Sequence, residues 1–472
     1  MPSGPPRHVV VVGGGIAGLS AAYRLRTLRP GLIVTVLEGS PLVGGKLRVG
    51  EVAGVPVDEG AEAILNRRDE AVGLARDVGL ADKLTHPDRT DAAVWTRGAL
   101  RPLPPTLMGI PADLPALRDS GVLSRAGLAR ARVEPLLPAM DIEDDVSVGD
   151  LVTSRLGGDV TARLVEPLLG GVYAGHADEL SVHATVPALT AGRHRSILAA
   201  AREARLAGQA SSAPPFAGIR GGVGRLAPAV ARASGAEVRT NAMVRELVRL
   251  PGDRWRAVVG PTRTPEVVDA DAVILALPAT AAGRLLHQVS PAAALQLGRI
   301  EYASVAIVTV AFRAAALPSP LPGSGFLVPP VDGRLIKATT YSSYKWGWLA
   351  EQTSGTVIWR CSVGRHREES DLQRSDSELV AGVLADLGAA TGLRGTPVDQ
   401  LVSRWGGALP QYAVGHRDLV GRIHDLVGEL PGLAVCGAAY DGLGIPACIA
   451  SADRAATLVL RELTARENEP HD

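Results

Sequence analysis

The chain has 472 residues, 46% of them hydrophobic, so it can bury a large core and has room for two or three domains. Its formal net charge is zero, so it lacks the basic surface typical of nucleic-acid binding, and no nucleic-acid partner is expected. The three cysteines, Cys361, Cys436 and Cys448, form no Cys-x-x-Cys pair. We therefore expect neither a disulfide framework nor a cysteine metal site, and a reducing cytoplasm fits.

The histidine spacing argues against a metal site, and the short apolar runs argue against a membrane-spanning helix. No His-x-x-x-His pair occurs, so no metal site is predicted. The longest apolar run, around Tyr302 to Phe312, is far shorter than the ~20 residues that a membrane-spanning helix needs. Arg7 also precedes an apolar run, but glycines 13–15 interrupt it, so we interpret it as a first strand rather than an export signal.

The first predicted element is a strand at His8–Val12, followed by a glycine turn and a helix that reaches Leu28. The strand is β-branched and unbroken, as in a parallel sheet buried on both faces. In the turn, Gly13 allows a sharp bend, Gly15 a close approach of a pyrophosphate, and Gly18 tight helix–strand packing. The positive end of the helix would face the phosphates, so the turn predicts dinucleotide binding.

A second strand over residues 32–38 ends at Glu38. An acidic side chain at this distance from the glycine turn accepts hydrogen bonds from ribose hydroxyls and repels a 2′-phosphate, which excludes NADP. The glycine pair with a basic residue that follows, Gly44-Gly45-Lys46, resembles the second signature of flavoproteins with two dinucleotide motifs. We therefore expect FAD rather than NAD.

Residues 57–62 return to the nucleotide fold and lead into a pair of adjacent arginines, Arg67 and Arg68. Guanidinium groups bind carboxylates well, so these two are candidate substrate ligands. The alternative is ordinary solvated surface, since arginine is abundant along the whole chain.

From about Leu84 to Gln209 the sequence is rich in proline and in helical spacing, which predicts a helical unit inserted into the nucleotide fold. Within it, residues 113–140 combine leucines with arginines and could lie on an anionic membrane surface. An ordinary helix with a solvated face is the alternative. Residues 166–175 fit neither helix nor strand spacing, and we interpret them as a tight loop that brings Tyr173 close to a ligand.

The later segments predict strands of the nucleotide fold and strands of a separate mixed sheet. Residues 237–240, 241–250 and 271–277 have strand patterns that belong to the nucleotide fold. Residues 290–402 predict a mixed sheet whose tryptophans could wall a flat apolar substrate, although core packing explains them equally well. The chain then ends with a strand, a glycine turn and a helix whose positive end would point at the cofactor.

Several of these motifs together resemble the oxygen-dependent porphyrinogen oxidases, FAD enzymes of haem biosynthesis in the amine-oxidase-like superfamily. The glycine motifs near both ends are superfamily-wide. The more specific stretches are Glu166-Pro-Leu-Leu-Gly-Gly-Val-Tyr-Ala-Gly175 and the region from Trp405 to His416. The chain most resembles the soluble branch that oxidises coproporphyrinogen III in Gram-positive-type haem synthesis.

The resemblance implies an α/β fold with three parts: a Rossmann-like, two-dinucleotide-motif FAD domain made of discontinuous segments, a mixed-sheet substrate domain and an inserted helical domain. The FAD domain is expected at residues 1–83, 211–289 and 404–472, the helical insert at 84–210 and the substrate domain at 290–403.

The resemblance also implies a set of cofactor residues, and by analogy Val244 contacts the adenine end through its backbone while Trp405 lines the flavin site. The expected FAD contacts are Gly13, Gly14, Gly15, Ile16, Ala17, Gly18, Glu38, Gly39, Gly45, Lys46, Gly60, Ala61, Glu62, Ala63, Val244, Trp405, Gly444, Ile445 and Pro446. Tentative substrate ligands are Arg67, Arg68, Tyr173 and Lys345. No catalytic side chain is assigned, because the flavin supplies the redox chemistry.

The implied reaction removes six electrons from coproporphyrinogen III in three flavin cycles, with O2 as acceptor and hydrogen peroxide as by-product. Peripheral membrane contact through the helical insert and transfer of the product to a ferrochelatase are further expectations. Alternatives are protoporphyrinogen IX as substrate, an amine oxidase or carotenoid desaturase, and a non-catalytic redox sensor. The low aromatic content, 3%, leaves little for the aromatic cage of an amine oxidase.

Overall fold

The computed structural model describes residues 6–140, 142–190, 195–209, 213–318, 321–353 and 355–468. The strands are, in chain order, β1 His8–Val12, β2 Ile33–Leu37, β3 Val49–Val52, β4 Val55–Asp58, β5 Ile64–Leu65, β6 Leu84–Thr85, β7 Ala93–Thr96, β8 Ala99–Pro102, β9 Thr106–Leu107, β10 Ile110–Pro111, β11 Phe216–Ile219, β12 Glu237–Arg239, β13 Val244–Leu250, β14 Arg254–Val259, β15 Glu266–Ala270, β16 Ala272–Leu275, β17 Tyr302–Arg313, β18 Gly325–Leu327, β19 Ile336–Thr340, β20 Thr356–Val363, β21 Asp399–Pro410 and β22 Leu433–Val435.

The helices alternate with these strands. They are α1 Ile16–Leu28, α2 Asp69–Asp77, α3 Leu114–Ser120, α4 Arg125–Arg132, α5 Val148–Leu156, α6 Gly158–Val160, α7 Glu166–Tyr173, α8 Val182–Thr185, α9 Ile197–Gln209, α10 Leu226–Ser234, α11 Ala279–Leu286, α12 Pro291–Leu297, α13 Ser342–Lys345, α14 Gly347–Gln352, α15 Asp376–Thr391, α16 His416–Gly428 and α17 Ile445–Asn468. The fold is therefore mixed α/β.

The first sheet has the order β12-β2-β1-β16-β22, and all of its strand pairs are parallel. Both faces are covered. Helices α1, α2, α10 and α17 pack on one face, and α11, α12, α16 and the small sheet β13-β14-β15 pack on the other. The unbroken valine run of β1 is buried on both sides, as the sequence predicted. Because parallel strands end at one edge, the turns after β1, β2 and β22 come together there.

The second sheet has the order β21-β17-β20-β19-β18-β7-β8 and is antiparallel except for the β18–β7 pair. Helix α15 packs on one face, while β3, β4 and α14 pack against part of the other. The mixed sheet predicted from residues 290–402 is thus present. Its strand β21 runs to Pro410, so the expected domain boundary at residue 403 falls inside a strand.

Residues 93–102 differ from the helical unit in which the sequence pattern placed them. They form the β7–β8 hairpin and join the second sheet. The two residues of its turn, Arg97 and Gly98, both have positive φ, 54° and 75°. A two-residue turn of this kind matches the twist of paired strands, but an Arg-Gly pair is a weaker signal than Asn-Gly.

Helices α3–α9 share a core of their own. The loop predicted over residues 166–175 was wrong: Glu166–Tyr173 is helix α7, and it ends at Ala174 with a φ of 51°. Its glycines permit close packing rather than a turn. A Cβ on Gly170 would lie 2.3 Å from Nη1 of Arg365, and one on Gly175 would lie 2.1 Å from Oε1 of Gln411.

The segment 113–140 buries most of the leucine side that was considered for membrane contact. Leu117, Val122 and Leu123 lie in the core of α3–α9, whereas Leu136 is 84% exposed. Within the described residues, no helix combines the length and hydropathy needed to span a bilayer.

Candidate functional site

The glycine turn between β1 and α1 has the geometry predicted for it. Gly13 has a φ of 109°, and a Cβ on it would lie 2.4 Å from the carbonyl oxygen of Ala276. A Cβ on Gly18 would lie 1.9 Å from the carbonyl oxygen of Gly13, so this helix start packs on the turn itself. A Cβ on Gly15, in contrast, would meet no atom within 4 Å. The backbone is therefore open at Gly15, the N-cap of α1, where an anion would bind a helix N-terminus.

The second glycine pair is bonded directly to this turn. The N–H of Gly44 donates to the carbonyl of Gly14 at 2.8 Å. Gly44 and Gly45 have φ values of 115° and 57°, and a Cβ on Gly45 would approach Cα of Gly15 to 3.4 Å. The two motifs, predicted separately, form one backbone surface.

Glu38 lies at the end of β2, next to the turn. Its Oε2 accepts a hydrogen bond from the N–H of Gly14 at 2.6 Å, and its Oε1 accepts one from Ser40 at 2.8 Å. A Cβ on Gly39 would lie 2.7 Å from Cε of Met243, which precedes Val244 at the start of β13. Glu38, Gly39 and Val244, three of the predicted FAD contacts, are thus close together.

The carboxyl-terminal turn reaches the same place. Helix α17 begins at Ile445, and Ile445 and Pro446 are buried. A Cβ on Gly437, after β22, would lie 3.8 Å from Cβ of Ala17. Burial lowers the pKa of Lys46, and burial raises the pKa of the neighbouring Cys448 thiol to about 11. Cys448 is therefore a neutral thiol near pH 7.

Glu62 is the centre of a charged network beside the second sheet. Its carboxylate pairs with Lys345 at 2.7 Å and with Arg360, and it also accepts from Trp346 Nε1 at 3.3 Å. Burial alone would raise the pKa of Glu62, but Lys345 and Arg360 hold it well below its usual value. Arg360 also donates to the carbonyl of Gly60.

Trp405, on β21, lies against the backbone of Glu59 and Gly60. Its Nε1 donates to the carbonyl of Glu59 at 3.0 Å, and its ring lies 3.5 Å from where a Cβ on Gly60 would be. Gly60 cannot carry a side chain, because its Cβ would lie 2.2 Å from the carbonyl of Lys46. Ala61 is exposed next to it, and Ala63 packs on the core behind.

Tyr173 lies at the end of α7, beside the Trp405 strand. The Nε2 of Gln411 donates to the Tyr173 carbonyl at 2.8 Å, and the rings of Tyr173 and Tyr412 are 5.7 Å apart. Burial raises the pKa of Tyr173 to about 12, so its hydroxyl stays protonated. Ala174 packs with Val305 and Trp405 in a small apolar cluster.

The structure does not bring all candidates together. Arg67 and Arg68 are exposed, with Arg68 paired to Glu70. A Cβ on Gly208 of α9 would lie 2.4 Å from Nη1 of Arg67. Lys345 is in the site, but its ammonium is already bound to Glu62. Arg360 was missed, because nothing in the sequence separates it from the many other arginines.

The two glycine motifs, Glu38 and the turn after β22 therefore meet at one edge of the parallel sheet, while Trp405 and residues 60–63 lie against the second sheet. No group of three or more His, Cys, Asp or Glu side chains suited to a metal ion occurs in the residues that the structure describes. The family model described as "Flavin containing amine oxidoreductase" matches residues 16–460. The chain belongs to this family. Its cofactor is FAD, as the second glycine pair predicted.

Relatives of known name are similar along nearly the whole chain. A "Coproporphyrinogen III oxidase" of Mycobacterium tuberculosis is 37% identical over 473 residues, covering 98% of this chain and 99% of the relative. A protein of the same name from Bacillus subtilis is 31% identical and covers 94% of this chain and 96% of the relative. A crystal structure of a candidate protoporphyrinogen oxidase from Exiguobacterium has a TM-score of 0.85 and 31% identity, covering 98% of this chain and 99% of that one.

Proposed function

We propose that the protein is an FAD-dependent oxidase that converts coproporphyrinogen III to coproporphyrin III. The observation that carries this proposal is the 31–37% identity, over nearly the whole chain, to relatives named coproporphyrinogen III oxidase. The reaction removes six electrons in three two-electron steps. Dioxygen accepts them and leaves as hydrogen peroxide.

The residues around the glycine turns fit an FAD. The open space over Gly15 and the free N–H groups at the start of α1 suit the pyrophosphate, whose charge the macrodipole of the helix stabilises. Glu38 would accept hydrogen bonds from the ribose hydroxyls, with Gly39 and the backbone of Val244 close to it. Gly444–Pro446, at the start of α17, would lie at the other end of the cofactor.

The bound flavin supplies the acceptor for the hydride that each step removes from a bridging carbon. The chain's own residues bind and orient the substrate. Trp405 and Ala174 lie in one small apolar cluster, and Tyr173 precedes Ala174 at the end of α7, so these residues would form an apolar wall of the substrate site. Glu62 holds Lys345 and Arg360 in place, so these cations are fixed donors rather than mobile ones.

The proposed domains separate the segments that would bind FAD from those that would bind the substrate. We propose an FAD domain formed by residues 1–83, 211–289 and 404–472, a substrate domain at 290–403 and an insert at 84–210. Two observations modify its edges: the β7–β8 hairpin pairs with the substrate sheet, and β21 extends that sheet to Pro410. Membrane contact, a cytoplasmic location and product transfer to a ferrochelatase stay predictions.

The test uses the purified protein loaded with FAD. Under nitrogen, coproporphyrinogen III should bleach the flavin absorption band, and air should restore it with release of hydrogen peroxide and a rise in porphyrin fluorescence. Protoporphyrinogen IX is assayed side by side, because the Exiguobacterium neighbour favours it as a second candidate. A flavin band that neither porphyrinogen bleaches would refute the proposed activity. Preference for protoporphyrinogen IX would refute the choice of substrate.

A further inference from the structure

Two buried cations on the second sheet have no role in the site described so far. Lys337 lies on β19, at a bulge where the register with β20 shifts between Ile336 and Ala338. Arg365 lies two residues after β20. Lys337 is 4% exposed and Arg365 is 7% exposed.

Neither cation is neutralised by an ion pair within the described ranges. Lys337 makes no side-chain hydrogen bond there, and Arg365 donates from Nη2 to the carbonyl of Val328 at 3.1 Å, while its Nη1 is buried without a partner. The same Val328 donates from its N–H to the Lys337 carbonyl at 2.9 Å, and the charge of Arg365 acts directly on Lys337, so the two cations are neighbours. Burial and the charge of Arg365 lower the pKa of Lys337 to about 7.

The nearest acidic groups do not balance this charge. Glu166 of α7 accepts the N–H of Ala177 through Oε1, and its Oε2 is buried without a partner. Burial raises the pKa of Glu166, while His176 and Arg365 oppose this rise. Glu368 acts on Arg365 but is 57% exposed. On the opposite side of β19, Asp386 of α15 accepts the N–H groups of Leu335 and Ile336. Two buried positive charges with free donors are costly unless an anion joins them.

The position of the pair relates it to the proposed site. Arg360 is opposite Thr340 in the β19–β20 register, and Lys337 lies three residues before Thr340 on β19, about 10 Å from Thr340 at the rise of a strand. Arg365 touches Gly170 of α7, the helix that ends at Tyr173. The pair therefore lies next to α7, the helix that carries Tyr173, and on β19, the strand that pairs with Arg360 through Thr340.

We propose that Lys337 and Arg365 together bind a propionate carboxylate of the substrate. This inference rests on the proposed function and adds the part of the chain that recognises the acidic groups of a porphyrinogen. A carboxylate placed here would accept charge-assisted hydrogen bonds from the Lys337 ammonium and from the free Nη1 of Arg365. Gly170 provides the space that the guanidinium occupies.

The test compares K337M and R365M with the wild type. We expect each to raise the KM for coproporphyrinogen III by about 10- to 100-fold, the effect of a lost charged hydrogen bond, with kcat changed by less than about 3-fold. R365K keeps the positive charge and should raise the KM for coproporphyrinogen III less than R365M does. K83M removes an exposed lysine paired with Asp82 and should behave like the wild type.

Binding of the porphyrin product gives a readout that does not depend on turnover. Fluorescence titration should show weaker binding of coproporphyrin III to K337M but unchanged binding of its tetramethyl ester, because the ester carries no carboxylate. The melting temperature of K337M should not fall, since the variant removes an uncompensated buried charge.

The result that overturns the inference is a K337M protein with wild-type KM, or one that loses the acid and the ester equally. A melting temperature that falls together with kcat would also overturn it, because it would assign Lys337 a structural role. Each of these results leaves the proposed function intact if the wild type oxidises coproporphyrinogen III. Failure of the wild-type assay would instead refute the proposed function itself.

Discussion

The N–H of Gly44 donates a hydrogen bond to the carbonyl of Gly14, 2.8 Å away, and so joins the two glycine motifs of the amino-terminal region. The bond needs Gly44 at a φ of 115°, which a residue with a side chain rarely adopts. The pair shows that the second motif supports the backbone of the first. Loss of either should therefore affect the same bound group.

A comparison of Gly15→Ala with Gly18→Ala separates cofactor binding from folding. The Gly15 methyl meets no protein atom, so G15A should keep the stability of the FAD-free protein within about 1 kcal/mol but lose FAD affinity by at least ~10-fold. The Gly18 methyl would overlap the Gly13 carbonyl, and G18A should cost about 3 kcal/mol or more. Urea unfolding and FAD titration measure the two effects. Normal FAD affinity in G15A would contradict the proposed pyrophosphate position.

The variant E38A should weaken FAD binding by about 10- to 100-fold, because charged hydrogen bonds to the ribose hydroxyls are lost. Glu38 also accepts the N–H groups of Gly14 and Ser40, so some turn stability is lost as well. E38Q keeps one acceptor oxygen and is the matched control with an intermediate effect. Isothermal titration with FAD is the measurement, and equal affinity in all three proteins would contradict the assignment.

The network at Glu62 should show strong coupling in a double-mutant cycle. E62Q leaves Lys345 and Arg360 without their shared carboxylate and should cost about 3–5 kcal/mol in free energy of unfolding. K345M leaves Glu62 paired with Arg360 and should cost less. The double variant should lose clearly less than the sum of the two. Additive losses would show that the pair is not a unit.

The packing of α7 on Arg365 predicts a cost for Gly170→Ala. Its methyl would lie 2.3 Å from Nη1 of Arg365, so the guanidinium must move. We expect a higher KM for coproporphyrinogen III and a loss of stability of about 1–3 kcal/mol. Gly73→Ala in α2 is the control, because its methyl meets no atom and should stabilise the helix by up to ~1 kcal/mol. Equal behaviour of the two variants would contradict the packing argument.

The amount by which Lys337 lowers the free energy of unfolding should depend on pH. Its pKa is about 7 in the folded protein and ~10.4 when unfolded, so between these values the unfolded chain binds a proton that the folded chain lacks. The destabilisation by Lys337 is therefore complete below pH 7 and fades as the pH rises. Arg365 and Glu166, the charged neighbours, are unchanged in K337M. Urea unfolding of K337M and wild type from pH 6 to 9 should show a gain in the variant that shrinks with rising pH, and a constant difference would contradict the shift.

The nucleotide-binding half of the site was predictable because its signals are local. Gly13, Gly15, Gly18 and Glu38 follow from backbone needs at fixed spacing along a strand, turn and helix, and the structure places them at one sheet edge. The second glycine pair could be assigned only by resemblance, whereas the carboxyl-terminal turn was predicted from its strand, turn and helix pattern. Their closeness to Gly14 and Ala17 depends on sheet order.

The substrate half was less predictable for a physical reason. Burial decides which cations can bind a ligand strongly, and the sequence alone does not show that Arg360, Lys337 and Arg365 are buried. The glycines of α7 were taken for a turn, because glycine is common in turns and disfavoured in helices. In the structure, Arg365 and Leu327 pack against these glycines. Only the tertiary fold brings those two side chains to α7.

The strand order of the first sheet also limits when the protein can acquire its cofactor during synthesis. The first glycine turn is synthesised long before β22 and α17, which complete the same edge. At roughly 5–20 residues per second, tens of seconds separate the two. A nascent chain therefore exposes an incomplete cofactor edge until β22 and α17 have been synthesised, so the complete pocket can form only after that point.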